Sequence, residues 1–172
     1  RASRENRSPA QMHVKEPGGG FTPWHQDQHY WPIDTDRTVT MWMPLVDLSE
    51  DMGILKFASL SHTRGYLGTL PISEESDAVF NRYIANEGMK VSALDRIDAG
   101  DATFHLGWNL HSAPGNRSDR LREVITVIWV ADGSRVTEPA NVNQERDMAC
   151  WLPGLGPGDR VASELNPLVY KA

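Results

Sequence analysis

Arg122–Ala131 reads REVITVIWVA, the most apolar run in the chain, rich in β-branched residues and free of glycine and proline. A run of this kind belongs in the middle of a sheet. Its alternation puts Arg122 on one face with Val124, Thr126 and Ile128. An arginine there is costly to bury without an anionic partner. The alternatives are an ion pair within the fold or an anionic ligand.

Outward from this strand, turn signals come often and the apolar runs are short, as in a sandwich or barrel. Strands are expected at Met12–Lys15, Thr38–Val46, Ile54–Ala58, Lys90–Leu94 and Ala102–Leu106, the first ending at Pro17-Gly18-Gly19-Gly20. Within TVTMWMPLV, Thr38, Thr40 and Trp42 face one way and Val39, Met41 and Met43 the other. One helix is expected, with Ser73 as N-cap, Glu74 and Glu75 in the first turn, Val79/Tyr83 and Phe80/Ile84 paired, and Gly88 as the stop after Asn86. From Trp151 the tail holds Pro153, Gly154, Gly156, Pro157 and Gly158, and is read as a surface wrap. The expectation is one mainly β domain over 1–172 with one or two helices, its core at 12–131 and a C-terminal wrap at 132–172.

A chain of 172 residues with 40% hydrophobic and 23% charged residues is globular. Its net charge of −6 argues against nucleic acid or an anionic membrane as the main partner. No apolar run is long enough to span a membrane, and no signal-peptide pattern precedes the first strand. The single Cys150 cannot form an internal disulfide, so the expected compartment is the cytoplasm. Nothing activates it as a nucleophile. Arg1–Ala10 (RASRENRSPA) is polar and aperiodic and does not look like a natural start, so a fragment is expected.

His25-Gln26-Asp27 sets a histidine and a carboxylate two residues apart, able to face one interior from a strand. His111 is the best placed third ligand, and would share a face with Asn109 and His105 if the strand persists that far. Two imidazoles and a carboxylate hold a ferrous ion on one face and leave the other open. The same ligands with a bound water would make a zinc hydrolase, so ligand identity alone does not decide.

Three stretches carry a resemblance: Trp24–Pro32 (WHQDQHYWP), Met41–Pro44 with Gly53-Ile54-Leu55 and Ser61-His62, and Gly100–Arg122 (GDATFHLGWNLHSAPGNRSDRLR). In this order they resemble the phytanoyl-CoA dioxygenase family of Fe(II)- and 2-oxoglutarate-dependent oxygenases. The resemblance implies a double-stranded β-helix, a cupin-like jelly roll with a few flanking helices. It implies His25, Asp27 and His111 as iron ligands, with O2 and 2-oxoglutarate as co-substrates and a small organic molecule hydroxylated or otherwise oxidised at C–H. Succinate and CO2 would be released. The family's arginine for the distal carboxylate follows the last histidine by eleven residues, which matches Arg122, since 122 − 111 = 11. Halogenating relatives replace the metal aspartate with a small residue, so Asp27 implies oxygenation.

The same resemblance suggests Trp42, Ser112 and Asn109 near the oxoacid and Gln26, His29 and Tyr30 near the substrate. It also departs from the pattern. The serine usual two residues after the last histidine is Ala113 here, and the usual Pro-Gly-Ser-His reads Ser59-Leu60-Ser61-His62. The family carries about a hundred residues before the first ligand; this chain has 24, so the family's N-terminal part is expected to be missing. Lys15 is read as a solvated charge and His105 as a satisfied core histidine; His13 and His62 are assigned no chemistry. The rival readings are a cupin-like isomerase or hydrolase without 2-oxoglutarate, and a non-catalytic binding protein of the same fold.

Overall fold

The computed structural model describes residues 5–7, 11–68 and 70–170. Twelve strands run in chain order: β1 (Glu5–Arg7), β2 (Gln11–Lys15), β3 (Thr22–His25), β4 (Thr38–Pro44), β5 (Leu48–Ser49), β6 (Lys56–Ala58), β7 (Val91–Ala93), β8 (Arg96–Ile97), β9 (Thr103–Leu106), β10 (His111–Ala113), β11 (Arg122–Ala131) and β12 (Leu168–Tyr170). Two α-helices, α1 (Glu74–Asn86) and α2 (Val142–Trp151), and three short 3-10 turns complete the described elements. No helix among the described residues is long and apolar enough to cross a membrane.

The larger sheet has the order β12-β1-β11-β4-β9, with β2 also on β11; the smaller is β3-β10-β6-β7. All pairings are antiparallel. As its composition demanded, β11 is central, flanked by β4 on one side and by β1 and β2 on the other. Glu5–Arg7 lies within a segment read as aperiodic. Three residues against an already formed β11 are too few to register as a period.

Alternation on β4 is as expected: Thr38, Thr40 and Trp42 are buried while Val39, Met41 and Met43 are half-buried. Between the sheets lies a core of Trp42, Leu48, Met52, Ile54, Leu55, Ile97, Ala113 and Val124. Each fully buried aliphatic side chain here contributes about 2 kcal/mol. Ser73 caps α1 in a reciprocal box with Ser76, and Phe80 and Ile84 pack it onto Trp24, Ala58 and Leu110. That packing fixes the strand carrying His25.

After Ala131 the chain does more than wrap. Val142–Trp151 forms α2, capped by Asn141, whose side chain accepts from the amides of Asn143 and Gln144. The helix has no fully buried residue, so no strong apolar stripe announces it. Leu152 anchors its end against Val136 and Val161.

Candidate metal centre and its pocket

His25 and His111 are a cross-strand pair of β3 and β10 on the smaller sheet, with ring centroids 4.1 Å apart. β3 ends at His25 and Asp27 opens a single 3-10 turn to Tyr30. Gln26 between them keeps extended angles, φ −119° and ψ 122°, so the alternation that turns both ligands inward survives the end of the strand. The Nε2 atoms of His25 and His111 lie 3.5 Å and 3.4 Å from Asp27 Oδ1. One ligand atom from each of the three residues falls within 4.8 Å of the others, close enough to share one ion.

Both imidazoles are oriented from behind. His25 Nδ1 lies 2.7 Å from the Pro23 carbonyl and His111 Nδ1 3.0 Å from that of Asn109. A carbonyl can only accept, so Nδ1 carries the proton and Nε2 presents its lone pair to the centre. Burial, together with neighbouring His111, lowers the basicity of His25, which keeps the ring neutral as a ligand must be. Burial alone would raise the Asp27 carboxyl, but His111, His105 and His25 outweigh it and hold it well below the usual carboxylate range.

The larger sheet supplies the other half of the Asp27 environment. Thr40 and His105 are a cross-strand pair of β4 and β9. Thr40 Oγ1 donates to Asp27 Oδ2 at 3.0 Å and His105 Nε2 lies 3.1 Å from the same oxygen. Oδ1 thus faces the histidine pair of one sheet and Oδ2 the Thr–His pair of the other. His105 reaches this position because the strand breaks between Leu106 and His111, placing the two histidines on opposing sheets with centroids 4.2 Å apart. They meet across the interior instead of along one face.

Arg122 is 5% exposed. One of its terminal nitrogens donates to the Gly53 carbonyl at 3.2 Å, Nε has no partner, and no carboxylate among the described residues pairs with it. Its guanidinium carbon sits 5.7 Å from the Trp42 ring centroid. Burial lowers its pKa to about 10, the mark of a cation held without a counter-ion. Gly53 is required: its φ is +83°, and a Cβ there would collide with the Pro114 carbonyl.

These groups line one cavity of about 300 Å³, walled also by Thr22, Tyr30, Trp31, Leu55 and Ala113 and closed on one side by Asp147 and Trp151 of α2. The sequence profile of the phytanoyl-CoA dioxygenase family matches residues 3–124. The chain belongs to this family.

Solved structures of similar fold extend the comparison. The non-haem α-ketoglutarate-dependent carbocyclase SnoK from nogalamycin biosynthesis is 26% identical, with a TM-score of 0.77 over 97% of this chain and 63% of that one. The epimerase SnoN of the same biosynthesis is 23% identical at TM-score 0.78, covering 98% of this chain and 66% of that one. Another SnoN structure is a complex with Fe3+, α-ketoglutarate and nogalamycin RO. EctD from S. alaskensis, with 2-oxoglutarate and 5-hydroxyectoine, is 22% identical at TM-score 0.73, covering 97% and 58%. The chain thus spans between 58% and 66% of these proteins' lengths. Curated proteins give no match. The jelly-roll expectation holds, with antiparallel sheets and two helices.

Of the secondary positions, Trp42 and Tyr30 line the cavity; Tyr30 also accepts from the Ile72 amide through its hydroxyl. Ser112 does not: alternation on β10 points His111 and Ala113 into the cavity and Ser112 away from it. Asn109 is likewise off the wall, bridging Ser61 and the Leu110 carbonyl and giving its own carbonyl to His111. Gln26 is buried elsewhere, donating to the carbonyls of Gly65 and Trp108 and accepting from the Leu67 amide. His29 packs edge-on against Tyr30 behind the wall. None of these four lies on the cavity wall.

Lys15 is buried, not solvated: β2 sets it opposite Arg122, and its ammonium donates to the Pro114 carbonyl and Thr22. Burial, then repulsion from Arg122, lowers its pKa to about 8. His105 is satisfied at Nε2 only, since Nδ1 has no partner. His13, given no chemistry from sequence, lines the cavity with its Nε2 3.2 Å from Thr126 Oγ1. The alternation of β2 against β11 was the signal available for His13, and the capping residue Asn141 the one available for α2.

Proposed function

We propose that this chain is the catalytic core of a non-haem Fe(II)- and 2-oxoglutarate-dependent oxygenase acting at a C–H bond of a small organic molecule. It is read as a single oxygenase domain over 1–172 with its core at 12–131. The carrying observation is the convergence of three ligand atoms beside a buried, unpaired guanidinium in one cavity. The donor set fits iron: two neutral imidazoles and one carboxylate in a facial array suit a ferrous ion with open positions.

His25, Asp27 and His111 would hold the metal, and with the oxoacid it would supply the oxidising power for C–H cleavage. Arg122 would take the distal carboxylate of 2-oxoglutarate through its free N–H groups, with Trp42 shaping that end of the cavity. Thr40 and His105 keep Asp27 in one orientation. Asp27 occupies the position where a halogenating relative has a small residue, which supports oxygenation. The similar structures include a carbocyclase and an epimerase, so C–H cleavage is the step proposed and hydroxylation the outcome first looked for.

The decisive test pairs an anaerobic titration with turnover. Fe(II) and 2-oxoglutarate added to the wild type are expected to give a visible charge-transfer band, and His25→Ala is expected to lose both the band and succinate formation. Undiminished succinate formation in that variant would overturn the reading.

A further inference from the structure

Asp147 is the carboxylate on the cavity wall whose chemistry the oxygenase reading leaves unused. It projects from α2 into the cavity that holds His25, Asp27 and His111, in company with Tyr30, Trp31 and Trp151. Among the described residues no side chain or amide bonds to its carboxylate. We propose that Asp147 selects the substrate, which carries a protonated amine held by this carboxylate against the faces of Trp31 and Trp151. The proposal rests on the oxygenase reading and names the substrate class of that same site.

Three observations support it. First, the helix that carries the carboxylate is held in place. The Gln144 side chain donates to the His29 carbonyl at 3.1 Å, Asn166 donates to the Trp151 carbonyl at 2.7 Å, and Leu152 packs on Val136 and Val161. Preorganised in this way, the backbone that presents Asp147 does not have to be ordered by a ligand.

Second, its charge is uncompensated. Burial, then repulsion from Asp27, raises its pKa to about 6. An alcohol would give one neutral hydrogen bond. An ammonium supplies a charge-assisted bond and the missing counter-charge, and two indoles and a phenol beside it favour a cation further.

Third, the placement is that of a selecting residue. Asp147, Trp31 and Trp151 belong both to the main cavity and to a small adjoining recess lined by Pro32, Ile33 and Leu152. Asp147 thus stands where the cavity that holds the triad meets this mostly apolar recess. Asp147 also lies outside residues 3–124, the part the family profile matches. Selectivity belongs on such an element, while the metal chemistry stays on the common core.

The test uses a matched pair of probes, 2-(aminomethyl)naphthalene and 2-(hydroxymethyl)naphthalene, titrated anaerobically at pH 7.5 into the full chain with Fe(II) and 2-oxoglutarate. Wild type and Asp147→Asn are compared by calorimetry. The amine is expected to bind about tenfold tighter than the alcohol to the wild type, the worth of one charge-assisted contact at a partly open site. Asp147→Asn is expected to bring the two within about twofold, a loss of the same contact, while retaining the metal–oxoacid band. Equal binding in the wild type, no detectable binding of either probe, or a preference that survives in Asp147→Asn would overturn the proposal. A missing band with the amine preference intact would strike the oxygenase reading alone; an intact band without preference would strike this inference alone.

Discussion

His105 Nε2 stands 3.1 Å from Asp27 Oδ2, the carboxylate oxygen turned away from His25 and His111. One sheet thus provides two candidate ligands and the other holds the third ligand still. His105→Ala is expected to weaken Fe(II) binding by about 10- to 100-fold, the usual loss when a partner behind a metal ligand is removed. The fold should persist, because His105 is cut back within a wall that β4 and β9 still close. Anaerobic Fe(II) titration measures the effect, and His105→Gln, which can still donate to Oδ2, should recover part of it. An unchanged affinity in His105→Ala would show that Thr40 alone suffices.

Arg122 gives a different signature. Arg122→Gln is expected to raise the 2-oxoglutarate concentration needed for half-saturation by about 100-fold, corresponding to loss of a bidentate charge-assisted contact of about 3 kcal/mol. Fe(II) affinity should not move, because no ligand atom is touched. Arg122→Lys should recover little: one ammonium cannot reproduce a fork, and the new lysine would sit opposite Lys15 in the β2–β11 register. Titrating 2-oxoglutarate into the Fe(II)-loaded protein separates the two effects, and a rescue by lysine would argue against a bidentate contact.

The sequence was most legible where period and chemistry coincide. β11 combines a central-strand composition with an arginine at its entry, and both its boundaries and its inward face were readable. His25, Asp27, His111 and Arg122 were singled out by ligand type and spacing, and the fold brings all four to one cavity. Positions read from likeness alone were less secure. Ser112 lies off the cavity because a one-residue displacement along a strand reverses the face. Gln26 lies off the cavity too, since nothing local announces the Gly65–Leu67 loop that engages it. His105 and Lys15 depend on contacts between distant strands, and α2 lacks the apolar stripe that marks a helix.

Leu60 stands where the family pattern has glycine, and the structure keeps the conformation that glycine would adopt, with φ +64°. A left-handed non-glycine residue costs about 1–2 kcal/mol, and at 70% exposure the side chain recovers little of this through burial. Leu60→Gly is therefore expected to stabilise the protein. The net gain should be only about 0.5 kcal/mol, because glycine also widens the unfolded ensemble. Thermal unfolding of the two proteins side by side gives the sign. A lower midpoint for the glycine variant would mean that Leu60 makes a contact worth more than its strain.

Asp147 makes stability depend on pH in the direction opposite to most carboxylates. Its pKa is raised from an ordinary 3.8 to about 6, by burial first and by Asp27 second. Between those values the folded protein holds a proton that the unfolded chain has lost, so stability falls as pH rises through this window. The cost is absent below about pH 4 and complete above about pH 6. Asp147→Asn removes the titrating group and keeps its shape, so the variant should match the wild type at low pH and exceed it at neutral pH. Discounted for solvent at the cavity mouth, the difference should be about 1 kcal/mol. Denaturant unfolding of the metal-free proteins at pH 4 and pH 7.5 measures it. Metal-free protein is the right material, because a cation on Asp27 would cancel the second cause and shrink the gap. Equal stability at both pH values would mean that Asp147 is better solvated than its place on the cavity wall implies.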